Sequence, residues 1–226
     1  MGSDNLHHKR KAKKAGSSRT KAKEYPQILV VSEDSKSSVT YLKALWRDLS
    51  KHKVQALQKS VQIHPSHKGS SPDQVLESAK DIHNKENDFT EIYCVMDVDS
   101  HQTLNTALSN VRDGELKACG YHAIVSNPCF EYWVYLHLVD SDAPFNRTGK
   151  KSVCDCVGKK IREISGFEQY NKGNFDLFKN LSKVTDAQNN AIDRSKRILG
   201  ENNPEDKNPS TNFHVLIERL IEQSSQ

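Results

Sequence analysis

The chain has 226 residues, of which 35% are hydrophobic and 27% are charged, and its formal net charge at pH 7 is +4. This length can bury a substantial core, but no apolar run in the sequence approaches the roughly 20 residues of a membrane-spanning helix. The basic amino terminus is not followed by the hydrophobic segment of a secretory signal. We therefore expect a soluble, cytoplasmic protein with no membrane association.

The charge is distributed unevenly. Residues 1–24 contain eight lysine and arginine residues against two acidic residues, whereas residues 25–226 are slightly acidic. So polar a segment has too little apolar surface to offset the entropy of ordering, which predicts a disordered basic arm over residues 1–25. Such an arm suits contacts with nucleic-acid phosphates. A solubilising tail or a cloning remnant explains it equally well.

Strand-like and helix-like segments alternate from residue 26 to about residue 140. Short runs rich in apolar and β-branched residues predict strands at residues 27–32, 54–64, 91–99 and 121–126. Apolar residues at helical spacing predict helices at residues 39–49, 72–82 and 102–118. A further helix is predicted after a turn at Asn127-Pro128 and extends to residue 138. This alternation is typical of parallel strands joined by crossover helices.

Beyond residue 140 the sequence favours helices alone. Helix-like segments occupy about residues 150–165, 174–200 and 210–223, separated by glycine and Asn-Pro turns. We therefore predict an α/β layered domain over residues 26–140, with a central, mostly parallel four-stranded sheet. A helical carboxyl-terminal cap follows over residues 141–226.

Four acidic residues lie near predicted strand ends. Glu33 follows the first strand, Asp97 and Asp99 end the third, and Glu131 lies in the first turn of the helix after the fourth. Carboxyl ends of parallel strands meet at one edge of a sheet, so these side chains are expected to converge. Clustered carboxylates repel one another unless a cation binds, and their hard oxygen atoms suit Mg2+ or Mn2+. The pattern predicts a metal site for phosphodiester chemistry.

Less specific interpretations remain open. Asp-x-Asp-Ser after a strand is also an ordinary turn in which Asp99 or Ser100 caps the next helix. Glu33 taken alone is compatible with a solvated loop. The five cysteines add little, because Cys154 and Cys156 form a C-x-C motif that no second cysteine pair or spaced histidine pair completes as a zinc site.

Five segments together resemble the RloB-like proteins of bacterial abortive-infection and phage-defence loci. They are VVSEDSKSSVTYLKAL, CVMDVDSH, SNPCFEYWVYLHL, YNKGNF and NPSTNFHVLIERL, and the resemblance covers about residues 26–222. It implies a Toprim-like fold, shared with topoisomerase, primase and OLD-type nuclease domains. It also implies a partner ATPase of the ABC or SMC-like kind, encoded nearby.

The resemblance assigns roles to the acidic residues. Glu33 would be a metal ligand or general acid/base, Asp97 and Asp99 the metal-binding DxD pair, and Glu131 a further acidic member. Relatives typically read E-G-x-x-T-E after the first strand, whereas here Asp34 replaces the turn glycine and Ser38 the second acid. Aspartate adopts glycine-like backbone angles at a cost, and losing an acid reduces the expected metal occupancy.

Four further residues are candidates for substrate or proton chemistry. Lys36 and Lys172 are predicted to contact substrate phosphate, and His101 and His137 are predicted general bases. Solvated lysines, and a core position for His137, explain the same residues without function.

We therefore expect a nuclease that depends on Mg2+ or Mn2+ and hydrolyses DNA or RNA as the effector of an antiviral defence system. The sequence has no G-x-x-x-x-G-K-[ST] loop, so any ATPase activity would come from the partner. The alternative is a non-catalytic Toprim-like module that binds nucleic acid or the ATPase.

Overall fold

The computed structural model describes residues 24–86, 88–98, 103–173 and 176–226. Nearly all of the predicted basic arm lies outside these residues. So do Asp99 and His101, and their predicted roles stay predictions.

A five-stranded sheet forms the centre of the fold. Its strands are β1 (Ile28–Ser32), β2 (Val61–Pro65), β3 (Glu91–Asp97), β4 (Tyr121–Asn127) and β5 (Ser210–Thr211). They lie in the order β2-β1-β3-β4-β5; the first four pair in parallel, and β5 pairs with β4 in antiparallel. The predicted α/β fold with a mostly parallel sheet is confirmed. The predicted count of four strands is wrong, because a strand of two residues gives no periodic signal.

Ten α-helices surround the sheet in the described part of the chain. They are α1 (Ser38–Ser50), α2 (Gln55–Gln58), α3 (Pro72–Glu86), α4 (Leu104–Arg112), α5 (Glu115–Ala118), α6 (Phe130–Leu138), α7 (Val153–Arg162), α8 (Leu177–Leu181), α9 (Ala187–Leu199) and α10 (Phe213–Ser224). None of these helices is long and apolar enough to cross a lipid bilayer.

The sheet buries both of its faces, as the apolar strand sequences predict. Ile28 and Val30 of β1 belong to one hydrophobic cluster, which also includes side chains from α1, α6, α7, α9 and α10. Leu29 and Val31 point the other way, into a second cluster formed with α3 and α4. This period-2 alternation is that of a strand covered on both sides. Helices from the predicted carboxyl-terminal region therefore share one core with β1, and the predicted boundary at residue 140 stays a prediction.

Three predicted segments are divided in the structure. The extended segment at residues 54–64 contains the short helix α2 before β2, and the helix predicted at residues 102–118 is interrupted at Gly114 between α4 and α5. Glycine is a poor helix former, which accounts for this break. The helix predicted at residues 174–200 divides into α8 and α9. Asp186, which precedes α9, has a φ of 53°, incompatible with a continuous right-handed helix.

Asn212 extends the short edge strand β5 with its side chain. Its Oδ1 accepts the backbone N–H of Val125 at 2.6 Å, and its Nδ2 donates to the carbonyl of Ala123 at 3.0 Å. The backbone N–H of Asn212 also donates to Val125 at 3.2 Å. The amide thus continues the ladder along β4 where β5 has ended.

We expect Asn212→Ala to lower the free energy of unfolding by about 2 kcal/mol, because two backbone groups of β4 lose their partners. Urea denaturation measures the change. The control is Asn203→Ala, which removes an exposed amide bonded only to Asp206 and should cost less than about 0.5 kcal/mol. Equal effects of the two substitutions would contradict a ladder role for Asn212.

Candidate functional site

The structure brings Glu33 and Asp97 together at the carboxyl edge of the sheet. The backbone N–H of Glu33 donates to the carbonyl of Val95 at 3.1 Å, which continues the β1–β3 pairing beyond Ser32. The side chain of Glu33 then turns to the end of β3, where its Oε2 accepts the backbone N–H of Asp97 at 3.0 Å. Two acidic residues that are distant in sequence therefore lie side by side.

Asp97 carries its carboxylate almost out of reach of bulk water. The residue is 8% exposed, and its Oδ1 accepts the backbone N–H of Phe130 at 3.0 Å, at the amino-terminal end of α6. Burial, followed by the nearby charges of Glu33 and Glu131, raises the pKa of the Asp97 carboxyl well above its usual range. Lys172 opposes that shift. A carboxyl group in this environment is stabilised in its ionised form by any cation that it can bind.

Glu131 lies in the first turn of α6 and is 1% exposed. Its Oε1 forms an ion pair with Nζ of Lys172 at 2.9 Å. Burial by itself would lower the pKa of Lys172, but Glu131, Cys129 and Cys154 together outweigh it and the pKa is raised. Burial and the same carboxylate raise the pKa of the Tyr170 phenol. The lysine predicted to bind phosphate is therefore also the counter-charge of a buried glutamate.

Two cysteines lie beside Glu131, and the sequence did not predict that they would meet. The Sγ atoms of Cys129 and Cys154 and a carboxylate oxygen of Glu131 all lie within 4.8 Å of one another, and all three residues are buried. Burial, Cys154 and the charges of Glu131 and Asp97 raise the pKa of the Cys129 thiol. Cys129 is next to α6 and Cys154 belongs to α7, so only the packing of these helices unites them. The sequence offers no spacing that would have revealed the pair.

Asp34 replaces the expected turn glycine without adopting a left-handed backbone. In the described chain, Asp186 is the one non-glycine residue with a positive φ. The carboxylate of Asp34 instead accepts the backbone N–H groups of Lys36, Ser37 and Ser38 at 2.9, 2.6 and 2.8 Å, which caps the start of α1.

Ser38 also replaces the expected second acid. Its hydroxyl is buried and lies 2.7 Å from the hydroxyl of Ser32. This position therefore contributes a neutral hydrogen-bonding pair where the sequence resemblance implies a carboxylate.

The remaining predicted residues fall in two places. The Lys36 side chain packs against the backbone of Gly173, so closely that a Cβ atom on this glycine would lie 3.0 Å from Cδ of Lys36. Lys172 directly precedes Gly173, so both predicted phosphate-binding lysines flank one loop.

His137 lies in the core, where its ring nitrogens contact the carbonyl of Trp133 at 2.9 Å and the hydroxyl of Tyr41 at 3.2 Å. Burial lowers the pKa of His137 to about 4. Its hydrogen bonds therefore do not run to the acidic residues, and its role as a general base stays a prediction.

Comparison with known proteins identifies a family. The model of a family described as RloB-like protein matches residues 28–220. No curated protein and no solved structure gives a match. The matched range includes Glu33, Asp97 and Glu131, together with Cys129 and Cys154. The resemblance predicted from the sequence is thereby confirmed.

Proposed function

The chain belongs to the RloB-like family, and from this premise we propose that it is a metal-dependent nuclease that hydrolyses phosphodiester bonds in nucleic acid. The observation that carries the proposal is the 3.0 Å hydrogen bond from the Asp97 backbone to Glu33, which holds the Glu33 carboxylate at the end of β3 next to Asp97. They lie at the edge of the sheet where open α/β folds usually bind ligands. The Toprim-like fold implied by the sequence resemblance belongs to the same proposal.

The residues at this edge fit a hard divalent cation. Glu33 and Asp97 supply carboxylate oxygens, the donors that Mg2+ and Mn2+ prefer, and Asp99 is the third ligand proposed from the sequence. The raised pKa of Asp97 supports the fit, because a bound cation would offset the repulsion from Glu33 and Glu131. When bound, the ion would polarise the phosphodiester and activate a water molecule.

The charged residues around Glu33 and Asp97 suit the binding of an anionic substrate at this edge of the sheet. Glu131 adds negative charge beside Asp97, while Lys172 compensates that charge and keeps a half-exposed ammonium group at the site. Lys36 lies against the same loop. We propose that the two lysines bind substrate phosphates and that Glu33 and Asp97 hold the metal.

The sequence resemblance extends the proposal to the biological setting. RloB-like proteins of defence loci are often encoded beside an ABC or SMC-like ATPase, so we propose that such an ATPase controls this nuclease during antiviral defence. Inspection of the adjacent genes, followed by co-purification of the two proteins, checks this part. An unrelated neighbour and no complex would count against it while leaving the chemistry of the site untouched.

We expect the purified full chain to cleave plasmid DNA, single-stranded DNA or RNA in Mg2+ or Mn2+ and to be inactive in EDTA. Glu33→Gln should lower the rate at least about 100-fold, because it removes a charged ligand yet keeps the acceptor for the Asp97 backbone. Gel electrophoresis of labelled substrates measures cleavage. Glu201→Gln, at an exposed position, is the matched control. Cleavage that persists in EDTA, or equally in Glu33→Gln, would refute the mechanism.

One observation favours the non-catalytic alternative. Ser38 occupies the place of the second acid and is already bonded to Ser32, so the site has one carboxylate fewer than relatives typically have. A module of this kind need not bind metal, whereas a nuclease of the proposed kind must. Calorimetric titration with Mn2+ separates the two, since saturable binding that Asp97→Asn removes supports the nuclease.

A further inference from the structure

Three buried donor atoms meet where the amino-terminal ends of α6 and α7 come together. They are Sγ of Cys129, Sγ of Cys154 and a carboxylate oxygen of Glu131, none more than 4.8 Å from another. In a tetrahedral zinc site, thiolate sulfur lies about 2.3 Å and carboxylate oxygen about 2.0–2.2 Å from the ion. Those bond lengths place ligand atoms roughly 3.5–4 Å apart. Small side-chain adjustments suffice to close the observed arrangement around one ion.

The donors are held by well-formed local structure. Cys129 directly precedes α6, and Glu131 lies in its first turn. Cys154 is in the first turn of α7, which begins with a capping box between Ser152 and Asp155. Helix amino termini stabilise negative charge, including that of thiolates. Ligands anchored in this way vary little in position, as a metal site requires.

Glu131 provides a second, independent indication of a ligand. Its Oε1 is bound by Lys172 at 2.9 Å. Its Oε2 is buried and forms no hydrogen bond of ordinary geometry within the described chain, although the carboxylate as a whole interacts with the phenol of Tyr170. A phenol donates only one hydrogen bond, so it leaves other lone pairs of this buried carboxylate available. A cation beside the two sulfur atoms could bind through one of them.

We propose that Cys129, Cys154 and Glu131 bind a thiophilic divalent cation, with Zn2+ as the expected ion, at a site distinct from the Mg2+ ligands proposed above. Sulfur ligands select Zn2+ or Cd2+ over Mg2+. Two thiolates and one carboxylate carry three negative charges, of which the ion balances two and Lys172 the third. Lys172 would then orient the ligating carboxylate from outside, as hydrogen-bond partners of metal ligands do. Water is the natural fourth ligand.

This inference does not depend on nuclease activity, because it rests on other donors and another class of ion. The two sites are nevertheless close. Asp97 accepts a hydrogen bond from Phe130, the residue between Cys129 and Glu131, and the charge of Cys154 contributes to the raised pKa of Asp97. An ion on the sulfur side would therefore fix the start of α6 and reduce the negative charge next to Asp97.

Cobalt spectroscopy tests the proposal directly. The full chain, reduced and freed of metal with EDTA, is titrated with Co2+ and then with Zn2+. We expect thiolate-to-cobalt charge-transfer absorption that saturates at about one equivalent and disappears when Zn2+ displaces the cobalt. Metal analysis of protein purified from zinc-supplemented cells should find zinc bound. Absence of the charge-transfer band in reduced wild-type protein would overturn the proposal.

Matched cysteine variants locate the ligands. Cys129→Ser and Cys154→Ser should each remove most of the charge-transfer absorption and weaken Zn2+ binding about 100-fold or more. Cys119→Ser and Cys156→Ser should leave both unchanged, because those cysteines are not part of the cluster. Glu131→Gln keeps both sulfur atoms, so it should weaken Zn2+ binding but retain the charge-transfer band. This variant tests the site if a serine variant does not fold. Full absorption in Cys129→Ser or Cys154→Ser would overturn the assignment.

Asp97→Asn separates this site from the proposed nuclease. It should remove Mg2+-dependent cleavage and keep the cobalt–thiolate band. A chain that never cleaves nucleic acid but shows the band would refute the nuclease alone, whereas an active chain without the band would refute the zinc site alone.

Discussion

Asp97→Asn is expected to lower phosphodiester hydrolysis by about 1,000-fold or more and, at the same time, to stabilise the metal-free protein. The substitution removes a charged metal ligand without changing the size of the side chain. It also keeps Oδ1, the atom that accepts the Phe130 N–H at 3.0 Å. The loss of rate can therefore be attributed to the charge rather than to a displaced α6.

The expected gain in stability follows from the raised pKa of Asp97. At a pH below the carboxyl pKa of the unfolded chain, Asp97 is neutral in both the folded and the unfolded state, so its ionisation does not reduce stability. As the pH rises, the unfolded chain ionises first, and the folded protein loses stability until its own raised pKa is passed. A neutral asparagine avoids this loss. At pH 7 we expect Asp97→Asn to raise the free energy of unfolding, and the gain to vanish below about pH 4, near the carboxyl pKa of an unfolded chain.

Urea denaturation at several pH values, with and without Mg2+, measures both effects. Added Mg2+ should stabilise wild type by about 1.4 kcal/mol at ten times its dissociation constant, and the variant by much less. Asp142→Asn, at an exposed position, should behave as wild type. Undiminished cleavage by Asp97→Asn would end the case for a catalytic metal at this residue. Lower stability of the variant at pH 7 would show that the carboxylate is not repelled.

Much of this arrangement could be predicted from the sequence because parallel strands obey simple rules. A strand buried on both faces reads as a continuous apolar run, so β1, β3 and β4 are evident. The edge strand β2 has polar residues between its apolar ones, and its predicted segment also included the helix α2. Once the strands are parallel, their carboxyl ends share an edge, and Glu33 and Asp97 are expected to meet. The strand β5 was not predicted because it is only two residues long and a side chain supplies part of its hydrogen bonding to β4. The amide of Asn212 makes hydrogen bonds that elsewhere come from backbone.

The rest of the site depends on how helices pack, which no local pattern encodes. Cys129 and Cys154 approach each other only because α6 packs on α7, whereas the C-x-C motif suggested Cys156 as the neighbour of Cys154. Cys156 lies apart from the cluster, with its Sγ 3.8 Å from the hydroxyl of Thr148. Lys172 was likewise predicted to bind substrate phosphate, but no partner within the protein was predicted for it. Its ion pair with Glu131 joins a loop residue to a buried helix residue across the fold.

Lys172→Met is expected to lower the free energy of unfolding by about 2–3 kcal/mol, because it leaves Glu131 as a buried carboxylate without its counter-charge. Glu131 is 1% exposed, whereas the Lys172 side chain is 50% exposed. Water therefore screens the attraction in part, which places the expected loss below that of a fully buried pair. Lys172→Met combined with Glu131→Gln should recover most of the loss, since a neutral amide needs no counter-charge. Urea denaturation of both single variants and the double variant gives the coupling energy.

Lys159→Met is the control, because Lys159 forms an exposed ion pair with Glu163 at 3.8 Å and should contribute less than about 0.5 kcal/mol. If Lys172→Met costs no more than this control, Glu131 does not depend on the lysine for its charge. If the double variant is no more stable than Lys172→Met alone, the loss comes from the packing of the lysine stem. Restored stability in the double variant would instead assign Lys172 the task of holding Glu131 ionised, the state in which a carboxylate binds any cation at this edge.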